Sequence, residues 1–241
     1  MLDRTLRSLI DVALASGDAR GHFAAMYARV TQVVIDDAAA GRFEDGARMT
    51  AFVERFAARY LAAFSAPGDA AKCWQASFDV AADESLLVVQ HLLLGINAHV
   101  NFDLAQTVVE LAREGSPLES IRPDFDAVNA ILAAIYRDLV QDLDRVTRWT
   151  ARADSYGGGR LFNFSLRAAR DQAWRTAVRL APLDPSARRD ELAALDDLVA
   201  VLAYLVARPA LPVRVLGEVV RRFETRDPTA VTRALLGPLV T

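Results

Sequence analysis

Apolar residues recur at three- and four-residue spacing along almost the whole chain, and alternating β-branched stretches are scarce. Alanine and leucine, both strong helix formers, dominate. The pattern predicts helices near 3–15, 19–40, 47–65, 70–80, 84–113, 117–121, 125–153, 160–181, 186–207, 211–224 and 228–238. Several starts carry their own signal. Asp184-Pro185 and Asp227-Pro228 each set a capping carboxylate before a proline at the first helical position. Ser116-Pro117-Leu118-Glu119 reads as a reciprocal capping box. After Arg122-Pro123, Asp124 and Asp126 sit where carboxylates favour a helix N-terminus. The break Asp154-Ser155-Tyr156-Gly157-Gly158-Gly159 reads as a helix connection or a lid. No strand precedes it and no Gly-Lys-Ser/Thr follows, so a phosphate loop is disfavoured. The expected fold is all-α: one domain over 1–241, a helical bundle around a buried central helix at about 84–113. A C-terminal helical segment, about 184–241, packs on it.

The central segment is apolar on nearly all sides, as a buried helix is. Within it, 91–103 reads HLLLGINAHVNFD and holds two of the three histidines. A buried polar group without a partner costs about 1–3 kcal/mol, so these exceptions carry information. At 3.6 residues per turn, Glu84, His91, Gly95, His99, Asp103, Gln106 and Glu110 share a stripe about 100° wide. Asn97 and Asn101 lie on a roughly opposite side. His91 and His99 are separated by about 12 Å along a straight helix, too far for imidazoles to share an ion with bonds of about 2.1 Å. His99 and Asp103 are surface neighbours one turn apart.

Three readings stay open. In one, the histidines and asparagines satisfy each other and neighbouring helices, and Gly95 lets a helix approach closely. In the second, His99 and Asp103 form a catalytic or ligand-binding dyad, the carboxylate fixing the imidazole tautomer. In the third, they ligate a divalent metal completed by Asp124, Asp126 or Glu110, or by His91 if the helix bends at Gly95. No established ligand spacing such as His-Glu-x-x-His supports the third.

Other helices could complete a site. Asn163, Arg167, Arg170, Asp171 and Trp174 share a face near 160–181, and arginine beside tryptophan can hold an anionic or planar ligand. Arg170 could instead pair with Asp103 or an acidic residue nearby and be purely structural. Tyr27, Thr31 and Tyr60 could line a pocket, although packing alone accounts for them. His22 is expected to be exposed or capping.

Composition narrows the classes. With 53% hydrophobic and 24% charged residues in 241, the chain is expected to be soluble and globular. A net charge of −3 gives no global field for nucleic acid or an anionic membrane. The longest later apolar runs, such as 198–207, have about half the length that spans a bilayer. The N-terminus lacks the apolar block of a signal peptide. Cys73 is alone, so no internal disulfide forms, and a quiet half-buried thiol is expected beside Lys72 and Trp74. A reducing cytoplasm is the expected location.

The segment HLLLGINAHVNFDL resembles the signature of an uncharacterised bacterial domain-of-unknown-function family, H-x-L-L-G-x-N-A-H-x-N-x-D-L. Weaker similarities occur in MYARVTQVV (26–34), RFAARYLAAF (55–64), CWQASF (73–78), DFDAVNAIL (124–132) and ARDQAW (169–174). The resemblance spans roughly 22–181. It implies an all-α fold and no particular activity. A weaker likeness to the His-x-x-x-Asp steps of helical zinc phospholipases and nucleases is limited, because those use more histidines than this chain has.

The leading expectation is a small-molecule enzyme or ligand-binding protein with a polar pocket on the central helix. His99 would act as acid–base, Asp103 would orient it, and Asn97 or Asn101 would donate to the ligand. His91, Arg170 and Trp174 are the ligand-binding candidates. The metal-assisted, hydrolase-like variant places His99 and Asp103 on the ion, with Asp124. No Gly-x-Ser-x-Gly elbow or dinucleotide fingerprint is present. The alternative is a non-enzymatic scaffold whose polar cluster is structural. Its C-terminal helices, with VRVLGEVVRRF at 213–223, could pack on a partner or on a second copy as a homo-oligomer.

Overall fold

A computed structural model describes residues 2–83, 85–144 and 158–237. Among them there are helices and no strand. The N-terminal helices are α1 (Leu2–Ser16), α2 (Gly21–Ala39), α3 (Gly46–Ser65) and α4 (Lys72–Ala81). The central rod comprises α5 (Val88–Ala98), a π turn (His99–Asp103) and α6 (Leu104–Arg113). Then come α7 (Leu118–Asp144), α8 (Gly158–Leu180), α9 (Pro185–Ala207), α10 (Leu211–Arg221) and α11 (Pro228–Leu236).

The local chemistry explains the ends. Asp184 accepts from the Ser186 and Ala187 amides, and Asp227 from the Thr229 amide, each ahead of its proline. Asp45 caps α3 through the Arg48 amide. The Ser116 signal works differently from the expected box. Gly115, at φ +108°, ends α6, and the Ser116 amide bonds back to Leu111 O at 3.2 Å.

Two boundaries depart from expectation. The central helix starts at Val88 rather than Glu84, because Leu87 is extended and the Gln90 side chain caps its amide at 2.9 Å. Glu84 lies outside the described residues. The predicted break at Pro123 is absent, and α7 runs through it. Proline removes one amide bond here, in the second turn. Burial of Ile121, Phe125 and Val128 holds the helix in register across it. The expected helical stretch 145–153 and residues 154–157 of the expected break lie outside the described residues, while Gly158 and Gly159, also expected in the break, already belong to α8.

The rod joins two apolar cores. Leu92, Ala98 and Phe102 pack with α1, α2, α4 and α9, while Leu104, Val108 and Leu111 pack with α3, α7 and α8. Full burial of each such large side chain contributes about 1.5–3 kcal/mol. Helix α2 crosses the rod at Gly95, where an added Cβ would lie 2.2 Å from Phe23 Cγ. Gly95 is therefore a close-approach glycine inside an intact α-helix. No described helix is long and apolar enough to cross a membrane.

Candidate functional site

The rod's irregularity lies one turn beyond Gly95. From His99 to Asp103 it widens into a π turn, in which the Leu104 amide reaches back five residues to His99 O. Such single π turns recur at functional sites. This one sets His99 and Asp103 at its two ends.

His99 Nδ1 lies 2.9 Å from Asp103 Oδ2. The same oxygen accepts from Trp74 Nε1 at 2.9 Å, and the Asp103 carbonyl accepts from Thr107 Oγ1. A carboxylate only accepts, so His99 Nδ1 carries the proton and Nε2 carries the lone pair. Nε2 is buried and has no hydrogen-bond partner. Burial pushes the His99 pKa down, and Asp103 pulls the other way. The imidazole is 2% exposed and thus held as a neutral acceptor.

Aromatic rings enclose it. Phe56 stacks on the imidazole at 3.5 Å between centroids, and Tyr27 meets it edge-on at 4.7 Å. Phe23, Tyr60 and Trp74 stand about one ring further away. His99 also lines a chamber of about 100 Å³ between α2, α3, the rod, α7 and α8. Most of its wall is aliphatic or aromatic. The polar exceptions are His99, Tyr27, Thr31, Tyr136 and Arg170. Burial pushes the Tyr27 hydroxyl up, opposed by nearby Thr31. The Tyr27–Thr31 approach falls short of hydrogen-bond geometry, so both hydroxyls are buried without a partner.

The remaining predicted residues are placed elsewhere. Asn97 Nδ2 donates to Val199 O and Asn101 Nδ2 donates to Asn97 Oδ1, each at 2.9 Å. They tie the rod to α9 and do not line the chamber. Arg170 does not pair with Asp103. Its Nε donates to Asn129 Oδ1, its Nη2 donates to Phe125 O, and its guanidinium lies 4.3 Å over the Phe125 ring. Burial lowers its pKa to about 10. Trp174 packs on Phe125 and under Arg122, away from the chamber.

The conditions for a metal are not met by the residues expected to supply it. The backbone does not bend at Gly95, so His91 stays off the dyad. It meets His22 edge-on at 5.3 Å. His22, expected to be exposed or capping, is buried, and its Nε2 faces Pro228 O at 3.3 Å. Asp124 does not cap its own helix. Its carboxylate accepts from the Glu44 and Asp45 amides and from Arg48 Nη2. Glu110 pairs with Arg59, and Asp126 with Arg122. Among the described residues no three His, Cys, Asp or Glu side chains converge to hold an ion.

Two partners were not legible in advance. Trp74 and Phe56 reach the dyad from α4 and α3, and no spacing rule links them to it. Cys73 is fully buried rather than half-buried, and burial raises its pKa, so it is inert.

A family profile described as a family of unknown function, DUF5995, matches residues 2–209. The chain belongs to this family. The matched span exceeds the 22–181 expected from the resemblance on both sides. It takes in the DUF5995 residues of the dyad, its aromatic enclosure and the chamber, and it stops before α10. No curated protein and no solved structure matches the chain.

Proposed function

We propose that this DUF5995 protein is a small-molecule enzyme or ligand-binding protein whose site is the chamber beside His99. One observation carries the reading: a residue that lines a cavity holds a buried imidazole nitrogen with no hydrogen-bond partner. Leaving such an acceptor unpaired costs about 1–3 kcal/mol, and a ligand that donates to it recovers that cost. Asp103 would keep Nδ1 protonated, so that Nε2 accepts a hydrogen bond or takes a proton. That is the orienting role of a carboxylate behind a general base. Trp74 would hold the carboxylate in place.

A second reading is favoured by a different observation. Trp74, Thr107 and His99 all bond to Asp103, and His99 is nearly sealed. That arrangement also suits a structural network in a scaffold protein.

A fragment screen followed by NMR separates the two. Under the ligand reading, neutral compounds no larger than benzene move the resonances of Tyr27, Phe56 and His99 together, and His99→Gln weakens their binding. If no compound in the screen moves those resonances, the scaffold reading replaces the ligand reading.

A further inference from the structure

Helix α9 has two apolar sides. Val199 and Ala203 are buried, with Leu192 and Leu195 partly buried beside them on the core. On the roughly opposite side, Leu198, Val201 and Leu205 stand 57%, 55% and 59% exposed. We infer that this outer stripe is the seam of a twofold dimer, in which α9 packs antiparallel on α9 of a second copy of the chain.

Spacing is the first argument. Glu191, Ala194, Leu198, Val201, Leu205 and Arg208 recur at alternating three- and four-residue steps. A strict stripe of that kind is the narrow seam of paired helices, whereas a helix lying on a globular core shows a wider apolar face. Fit is the second. Antiparallel pairing about a point between residues 199 and 200 sets Leu198 opposite Val201 of the second copy. It sets exposed Ala194 opposite Leu205, so a small side chain faces a large one.

Charge is the third argument, and it selects the direction. The same register sets Glu191 opposite Arg208 of the second copy at both ends of the seam. Parallel pairing would set Glu191 against Glu191 and Arg208 against Arg208, which repel. Within the chain, Glu191 meets half-exposed Arg179 at 3.4 Å, a surface pair worth little. Arg208 is exposed just past the end of α9, where its charge also acts on Asp83. The twofold axis makes each contact occur twice. Three exposed apolar side chains per copy make a seam smaller than the roughly 800 Å² per partner of a standard stable interface. The dimer is therefore reversible.

The test is sedimentation of the full chain from about 1 μM to 1 mM. Monomer at the low end and dimer at the high end are expected. Leu198→Glu alters an exposed side chain and is expected to keep the melting temperature while weakening association about tenfold or more. Glu191→Arg is expected to weaken it about fivefold, and Glu191→Arg/Arg208→Glu to restore it, a rescue that unfolding does not produce. Monomer at every concentration, or a dimer that Leu198→Glu leaves unchanged, overturns the proposal. A double variant no tighter than Glu191→Arg overturns the antiparallel register.

Discussion

Asp103 Oδ2 sits 2.9 Å from His99 Nδ1 and 2.9 Å from Trp74 Nε1, so one carboxylate oxygen holds two rings from different helices. It thereby sets the imidazole tautomer and anchors α4 to the rod. Asp103→Asn weakens both charge-assisted bonds and releases the tautomer. The expected cost is about 2–4 kcal/mol in urea unfolding, with a mixture of imidazole tautomers by NMR. Trp74→Phe removes one donor and leaves His99 in place. It should cost about 1–3 kcal/mol and keep the Nδ1–H form. An unchanged tautomer in Asp103→Asn would show that Asp103 does not set it.

Gly95→Ala tests the crossing of α2. In an exposed helix this change gains up to about 1 kcal/mol, because glycine is a poor helix former. Here the new Cβ would lie 2.2 to 2.7 Å from three Phe23 ring atoms. Net destabilisation of about 1–3 kcal/mol is expected from overpacking. Phe23→Leu in the same chain should recover part of it, seen as a non-additive double-mutant cycle. Additive losses would place the clash elsewhere.

The histidine pair predicts a pH dependence. Burial lowers His22 and His91 to about 4 from an ordinary value of 6.5, and the charge of His91 lowers His22 further. Asp18 pulls both upward, and Arg221 pushes His91 down. Between about pH 6.5 and 4 the unfolded imidazoles hold protons that the folded ones do not. Stability therefore falls as pH drops through that window, by up to about 1.4 kcal/mol per pH unit for each histidine. Buried His99 acts in the same direction. Replacing His22 and His91 by Gln should flatten the slope of unfolding free energy against pH. An unchanged slope would contradict the assignment.

Asp124→Ala separates a structural carboxylate from a metal ligand. The change leaves the Glu44 and Asp45 amides and Arg48 without their acceptor. A loss of about 2–4 kcal/mol is expected, identical with and without a chelator. A loss seen only without chelator would restore a role at a metal.

Much of this was written in local spacing. The apolar period gave the helices, and Asp-Pro pairs marked where α9 and α11 begin. The four-residue step from His99 to Asp103 gave the dyad. What spacing could not reveal depends on distant chain. Trp74 reaches Asp103 from 29 residues away, Phe23 fills the notch at Gly95, and Asp124 serves a loop near residue 44. Pro123 misled because a proline near a helix start costs less than the packing of Ile121 and Phe125 returns. The π turn was hidden too, since 99–103 fits a regular helix by composition. A bend at Gly95 was the condition for bringing His91 to the dyad; the rod stays helical there and widens one turn later, at His99. It is His99, not His91, that bonds to Asp103.

The central claim is that His99 presents a free, neutral acceptor at Nε2. A long-range proton–nitrogen correlation spectrum of the imidazoles, recorded from pH 5 to 9, tests it most directly. The account predicts a single Nδ1-protonated, Nε2-unprotonated form for His99 across the whole range. A proton on Nε2, or titration near 6.5, would contradict it.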